Sequence, residues 1–308
     1  MSYNDVWSLA RKAWLALTAH YGPAIDRAAE EHGIPLGEWY GWLMAARIFE
    51  PDPVSSTRLK IRSAYTALPR LEADLAKGVQ LGLLEPAGHG AALPGAGGEY
   101  YLTRQGHRAV QHLIDTAYAA MADLRPLPDD DLQRLAGLLW QLVEASLAAP
   151  EPPGKWCLRI ARHFDPGAGA PVVVRIDQYL SDLKAYRDDA FLAAWRPHGV
   201  TGQAWEAFTL LWRGAAATPD ELLARLPYRG FGRGDYVDAL QELIARGWVA
   251  EDQGVYSVTG PGLELREATE ATADRYFYAA WQRVSDAEID ELRELLVRFR
   301  DALAPAQV

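Results

Sequence analysis

Apolar residues in this chain recur at spacings of three and four over long stretches and at spacings of two only briefly. The pattern predicts helices joined by short strands. Residues 131–142, "DLQRLAGLLWQL", set Leu132, Leu135, Leu138 and Leu139 on one face. Residues 288–299, "EIDELRELLVRF", set Ile289, Leu292, Leu295 and Leu296 on a face with the same register. Other segments pair in the same order. "HGIPLGEWYGWLMAAR" (32–47) returns as "HGVTGQAWEAFTLLWR" (198–213), with the same His-Gly, Trp and closing Arg. "LEADLAKGVQLGLLE" (71–85) pairs with "VDALQELIARGWVAE" (237–251), each a helix stopped by a glycine, Gly82 or Gly247, before a short apolar strand. "GEYYLTRQG" (98–106) pairs with "GVYSVTGPG" (254–262), sharing Tyr100 with Tyr256 and Thr103 with Thr259. The offset falls from 165 to 156 between these last two pairs, so the first copy carries a loop nine residues longer.

Self-similarity in a fixed order means a duplicated structural unit. Each copy reads as four helices, two short strands around a turn, and one or two long closing helices, the order of a winged helix-turn-helix with helical flanks. Helix-start signals agree: Thr218-Pro219-Asp220-Glu221 supplies a cap, a first-position proline and a capping-box glutamate, and Ser285 with Glu288 supplies a second box. Residues 147–173 are rich in Pro, Gly and Ala at both ends, with a short amphipathic piece between them. The expected organisation is a first winged-helix copy over 1–150, a linker over 151–172 and a second copy over 173–308. The helix opening the second copy should carry Ile176, Tyr179, Leu180, Leu183, Tyr186 and Leu192 on a common side. The fold class is mainly α with small β-wings: two tandem winged-helix domains with intertwined flanking helices.

Composition narrows this picture. A length of 308 residues and 49% hydrophobic residues allow two real cores. The formal net charge of -10 is the opposite of the balance common in nucleic-acid binders, although it leaves room for a local basic face. One cysteine, Cys157, excludes an intrachain disulfide and an all-cysteine zinc site, which fits a reducing compartment. The N-terminal stretch lacks a signal-peptide core and no apolar run is long enough to span a membrane, so the expected location is the cytoplasm.

Between residues 176 and 303 the chain resembles the MarR family of bacterial winged-helix regulators. A helix ends at "HGV", followed by "AWEAFTLLW", a capped "TPDELLARL", a recognition-helix segment "GRGDYVDALQELIARGWV", a wing, and a closing "VSDAEIDELRELLVRF" helix. Residues 20–147 resemble it over the same order more loosely. MarR-type proteins are homodimers whose terminal helices intertwine while two winged helices read successive DNA half-sites. The resemblance therefore implies a fused dimer: one chain acting as a monomeric pseudo-dimer with an internal two-fold relation.

Duplex binding needs Lys and Arg along phosphates and polar side chains at the start of a recognition helix. The candidates are Arg58, Lys60, Arg62, Tyr65, Thr66 and Arg70 in the first copy and Arg229, Arg233 and Tyr236 in the second. Residues 55–84 hold five cations against two anions, a net of +3, whereas residues 220–249 hold four against five, a net of -1. Neither wing has a Lys or Arg: residues 85–101 contain none, and "EDQG" (251–254) is acidic. This departs from MarR-type wings, which bring an arginine to the minor groove, and puts DNA binding itself in question. For the arginines, a solvated helix face is the competing assignment.

MarR-type regulators hold small aromatic effectors between the winged helix and the dimerisation helices. The residues that would fall there are His32, Trp39, Trp42, Tyr186, Trp195, His198 and Trp205; packing of the tryptophans in a core, and of each His-Gly as a helix end, are the alternatives. His163 with Asp165, and Asp188-Asp189, form no metal-ligand spacing, nucleophile elbow or phosphate loop, and no cofactor is expected. Three functions stay open. The chain is a ligand-responsive transcriptional regulator on duplex DNA, a small-molecule-binding protein on the same scaffold that has lost DNA, or an enzyme using the inter-domain pocket. The expected partners are duplex DNA and a small aromatic or apolar effector, with no membrane.

Overall fold

The computed structural model describes residues 3–35, 43–88 and 97–304. The first half runs α1 (Tyr3–Glu31), α2 (Ala45–Phe49), β1 (Val54–Ser55), α3 (Ser56–Arg62), α4 (Leu68–Gln80), β2 (Leu84–Pro86), β3 (Glu99–Leu102), α5 (Arg104–Ala122) and α6 (Asp129–Ala148). After α7 (Trp156–Ala161), the second half runs α8 (Val172–Trp195), α9 (Gly202–Trp212), α10 (Pro219–Arg225), α11 (Arg233–Ala245), β4 (Val249–Asp252), β5 (Val255–Val258), α12 (Gly260–Tyr278) and α13 (Asp286–Leu303). The fold is mainly α with small antiparallel wings.

The apolar stripes anticipated on α6 and α13 are buried, but each completes its contacts through the opposite half. Helix α1 packs on α5 of its own half and on α13, and α8 packs on α12 of its own half and on α6. Helices α6 and α13 meet each other as well. One core cluster runs through all of these helices, from Leu17 through Leu139 and Leu180 to Leu296 and Phe299. Polar contacts follow the same crossing. His20 Nε2 lies 2.9 Å from the Leu303 carbonyl oxygen, and the Tyr278 hydroxyl donates to Asn4 Oδ1 at 2.5 Å.

Where α6 and α13 cross, Arg134 grips Glu291 in a two-point ion pair at 2.9 and 2.6 Å. The alignment that sets Leu132 against Ile289 makes Arg134 and Glu291 equivalent positions. In a symmetric dimer of either half, like charges would meet here and cost energy. The two positions carry opposite charges at this crossing.

The wings explain the shared Thr and Gly. Leu84 pairs with Leu102 in one wing and Val249 with Val258 in the other. Thr103 Oγ1 donates to the Gly82 carbonyl at 2.7 Å and accepts from Gly106 N at 3.0 Å; Thr259 does the same with Gly247 and Gly262 at 2.6 and 3.1 Å. A β-carbon on Gly106 would lie 2.1 Å from Leu83 O, and one on Gly262 the same distance from Trp248 O, so only glycine fits either helix start. Two local details differ from expectation. The first wing gains a third strand, since β1 pairs Val54 with Tyr100; the second half holds that edge by one bond, Tyr256 N to Ala217 O at 2.8 Å. The carboxylate of Glu221 bonds Ala217 N at 2.6 Å instead of reaching Thr218, so α10 has a threonine cap and an upstream clip, not a closed box.

The short amphipathic piece between the halves is α7, tied down at its start. Lys155 is buried and donates to the carbonyls of Ser146 and Leu147, each at 2.8 Å, and of Ala149, which covers the bare end of α6. Asp189 accepts from Cys157 N and Leu158 N at 2.8 and 2.9 Å, filling the start of α7. The carboxylate of Asp188 is taken by Lys184 at 2.6 Å, and His163 Nδ1 lies 2.6 Å from Ile48 O.

Helix α8 also carries a buried carboxylate, Asp182, and a partly buried one, Asp177. Asp182 is paired with Arg162 at 2.8 Å, whereas Asp177 accepts only Trp14 Nε1 and Tyr21 OH, at 3.0 and 3.1 Å, among the described residues. Burial pushes both carboxyls up to about 6. An acid whose value is higher folded than unfolded takes up a proton on folding. Its contribution to stability is therefore complete below about pH 4 and declines as pH rises through about 6. Asp177→Asn keeps the acceptor without the charge. Unfolding free energies from urea titration are expected to match the parent near pH 4 and exceed it near pH 7.5, by about 2–3 kcal/mol. A gap that stays constant with pH would contradict the assignment.

Candidate functional site

The aromatic residues of the second His-Gly repeat gather into a stack. Trp205 is fully buried, near-parallel to Trp195 with ring centres 5.8 Å apart and to His198 at 5.6 Å. The guanidinium of Arg266, also without exposed surface, lies 5.0 Å from the Trp205 ring and 4.6 Å from Trp212, and pairs with Glu270 at 2.5 Å. Each histidine ties the end of its long helix to the helix behind its own wing: His198 Nε2 to Thr269 Oγ1 at 2.9 Å, His32 Nε2 to His112 Nδ1 at 3.1 Å. The glycines that follow, Gly33 and Gly199, take φ of 73° and 67° and end the helices. Tyr186 is buried in the shared core, donating to the carbonyls of Glu151 and Tyr276 at 2.9 and 3.1 Å. Trp39 and Trp42 lie outside the described residues. Of the proposed effector residues that are described, Trp195, His198 and Trp205 come together, in a packed core; Tyr186 and His32 sit apart.

Four of the residues expected at DNA, Lys60, Tyr65, Thr66 and Arg229, converge on a seam between the two helix-turn-helix units. The turn between α3 and α4 sits against the start of α9 and the segment joining α10 to α11. Ala67 N donates to Arg229 O at 2.8 Å, and Arg196 Nη2 to Ile61 O at 2.7 Å. Glycine permits the approach twice: a β-carbon on Gly202 would lie 2.2 Å from Ala64 O, and one on Gly230 would lie 2.6 Å from Arg70 Cβ. At the centre, Arg229 forks onto Glu206, with Nε to Oε2 at 2.9 Å and Nη2 to Oε1 at 2.6 Å. Its third nitrogen reaches Thr66 Oγ1 at 3.4 Å, and its plane lies over Tyr65 and Tyr228 at 5.5 and 4.9 Å. Lys60 donates to the Thr66 carbonyl and lies 5.9 Å from the Phe231 ring; burial and the charge of Arg229 lower its pKa. Burial raises the Glu206 carboxyl, and Arg229 opposes that rise.

Thr66, Lys60 and Arg229 thus spend their polar groups within the protein, Tyr65 contributes its ring, and Tyr236 is buried at 1% exposure. Arg58 donates to Pro53 O at 3.0 Å beside Asp52, and Arg70 pairs with Asp74 at 3.0 Å. Arg233 pairs with Asp220 at 2.9 Å but keeps more than half its surface, at the exposed start of α11. Asp235 and Asp238 share that exposed face, and Glu251 and Asp252 are exposed on the adjoining wing.

Beside the seam opens a cavity of about 470 Å³ lined from both halves: Phe49, Arg62 and Tyr65 from the first, Lys184, Phe191 and Arg229 from the second. A concave site of this volume with aromatic walls and a few charges is suited to a small organic molecule. Sequence reasoning placed Arg62, Tyr65 and Arg229 on DNA and did not anticipate Phe49, Lys184 or Phe191. Glu206 and Arg196, which complete the seam, carried no signal beyond a charge in a helix. The run "RGFGRG" at 229–234 was the available clue, since it contains the glycine, Gly230, that lets the two units touch.

A family model described as Helix-turn-helix family matches residues 103–308, from the cap of α5 through the whole second half. No curated protein and no solved structure matches the chain.

The seam makes a direct prediction. Arg229→Ala strands a half-buried carboxylate and should lower stability by about 2 kcal/mol, less than a fully buried pair because both side chains retain some exposure. Arg229→Met with Glu206→Leu should recover most of that loss. Urea unfolding of Arg229→Met, Glu206→Leu and the double variant measures the coupling; a cost for Arg229→Ala below about 0.5 kcal/mol contradicts the seam.

Proposed function

Because the chain belongs to the Helix-turn-helix family, a class of DNA-binding domain, we propose that it is a ligand-responsive transcriptional regulator of MarR type that works as a single-chain pseudo-dimer. The observation that carries this reading is the cavity beside the seam. Its walls come from both helix-turn-helix units, so a molecule filling it contacts both and is sensitive to their spacing. A ligand shifts a conformational balance only as far as it binds the two states differently, and a site shared between two bodies meets that condition. The opposite charges of Arg134 and Glu291 at equivalent positions support a working unit of one chain.

In this reading the seam-closed arrangement is the form with low DNA affinity, because it consumes Lys60, Thr66 and Arg229. Opening the seam returns these groups to solvent, and the Arg229 guanidinium can then face phosphate. Arg225 and Arg233, already exposed around the start of α11, provide the first contacts. A second reading is favoured by Asp235, Asp238, Glu251 and Asp252 on the face that would meet DNA: a binding protein that keeps the cavity and has lost the duplex.

The two readings separate in one experiment. Genomic duplex fragments retained by the protein at about 50 mM salt should be released as salt rises to about 200 mM, and Arg225→Ala with Arg233→Ala should weaken retention and flatten the salt slope by about two contacts. No fragment retained at the lower salt overturns the regulator and leaves the binding protein.

A further inference from the structure

A second, smaller cavity of about 160 Å³ lies among the long helices, away from the outer faces of the winged units. Trp14 and Tyr21 of α1, Tyr118 of α5 and Phe164 wall it with rings, and Asp177 of α8 stands among them. Both donors to this carboxylate, Trp14 Nε1 and Tyr21 OH, go to Oδ1; no bond to Oδ2 and no ion pair of Asp177 occurs among the described residues. Arg62 lines this cavity and the seam cavity, but the neighbouring charge that acts on Asp177 is another carboxylate, Asp182. A partly buried carboxylate without a cation is costly to keep charged, and such a group in a cavity marks a candidate binding site.

The other half of the molecule shows what such a place holds. The register that aligns His32 with His198 sets Tyr21 against Arg187, and the register that aligns Thr103 with Thr259 sets Tyr118 against Asp274. In the second half these two positions form an ion pair: Arg187 Nη2 lies 2.6 Å from Asp274 Oδ1, and the guanidinium stands 5.3 and 5.9 Å from the rings of Phe277 and Tyr278. A built-in cation therefore stands at one of these positions in the second half, against rings that occur where the first half has Met121 and Ala122. In the first half both positions are tyrosines, the space is open, and a carboxylate enters from α8.

We propose that this cavity is a binding site for a small organic cation, an ammonium seated at Asp177 with its apolar body against Trp14, Tyr21 and Tyr118. Aromatic rings around a carboxylate suit a cation with an apolar body, the rings contacting the body while the carboxylate supplies the opposite charge. The volume sets the size, since a cavity of about 150 Å³ accepts a molecule as large as benzene. The site stands apart from the seam cavity, so its failure leaves the regulatory reading untouched.

Calorimetric titration of the full chain with benzylamine and with tetramethylammonium tests it, with benzyl alcohol and benzoate as neutral and anionic counterparts. The expected result is saturable binding of at least one cation, at least about tenfold tighter than benzyl alcohol, and weakened at least about tenfold by Asp177→Asn. Three results overturn the proposal: benzyl alcohol or benzoate binding as tightly as the cations, unchanged affinity in Asp177→Asn, or no cation binding up to about 10 mM. If Asp177→Asn does not fold, Tyr118→Leu decides: tetramethylammonium weakened about threefold or more supports the site, and unchanged binding overturns it.

Discussion

Neither half of this protein can close its own core. The first helix of each half is covered on one side by the helix behind its own wing and on the other by the last helix of the opposite half, α1 by α13 and α8 by α6. Burial of apolar surface is the dominant favourable contribution to folding, so these crossings tie the halves into one cooperative body. The exchange also dictates where the two helix-turn-helix units can sit, because each unit hangs from long helices held by the other half. The ion pair of Arg134 with Glu291 at the crossing of α6 and α13 favours the pairing of unlike halves over like ones.

That frame brings the α3–α4 turn against the α10–α11 connection. The contact is polar at its centre and tight at its glycines, and beside them Ala64 and Tyr65 of the turn pack against the apolar core of the second half. Arg229, forked onto Glu206 and laid over two tyrosine rings, is its keystone. The cations that would serve a phosphate backbone are the ones that hold the seam. Under the proposed function, closure of the seam and full engagement of DNA compete for the same side chains, and the cavity lined from both sides is where a ligand would weigh on that competition. Among the described residues no helix is long and apolar enough to cross a membrane, in keeping with the apolar surface being spent on helix crossings.

Much of the fold was legible because its signals are local. The leucine faces of α6 and α13, the His-Gly helix ends and the Thr and Gly of each wing are determined within a few residues, and their duplication revealed the repeated order. The third strand β1 was not legible, since two residues carry no period. The seam was invisible for a deeper reason. Lys60, Thr66 and Arg229 look like solvated polar residues of a recognition surface, and only the tertiary frame shows that they face one another. A count of +3 against -1 measures formal charge and does not register which charges the protein neutralises internally. The tryptophans showed the reverse: Trp195 and Trp205 proposed themselves as pocket walls and became a packed stack around Arg266. Asp177 drew no notice as a single aspartate in a helix, although its distinction from the second half lies in the repeat itself, where Tyr21 stands at the place of Arg187.

The central claim is that the two helix-turn-helix units are held together by the seam and part when DNA is engaged. Spin labels at Ala73 on α4 and Gln241 on α11, both exposed, report the separation of the two recognition helices through their dipolar coupling. The account predicts a narrow distance distribution for the free protein that shifts to longer distances on addition of a retained duplex fragment, and a similar shift without DNA when Glu206→Gln weakens the fork. A distribution that stays the same in all three states would contradict it.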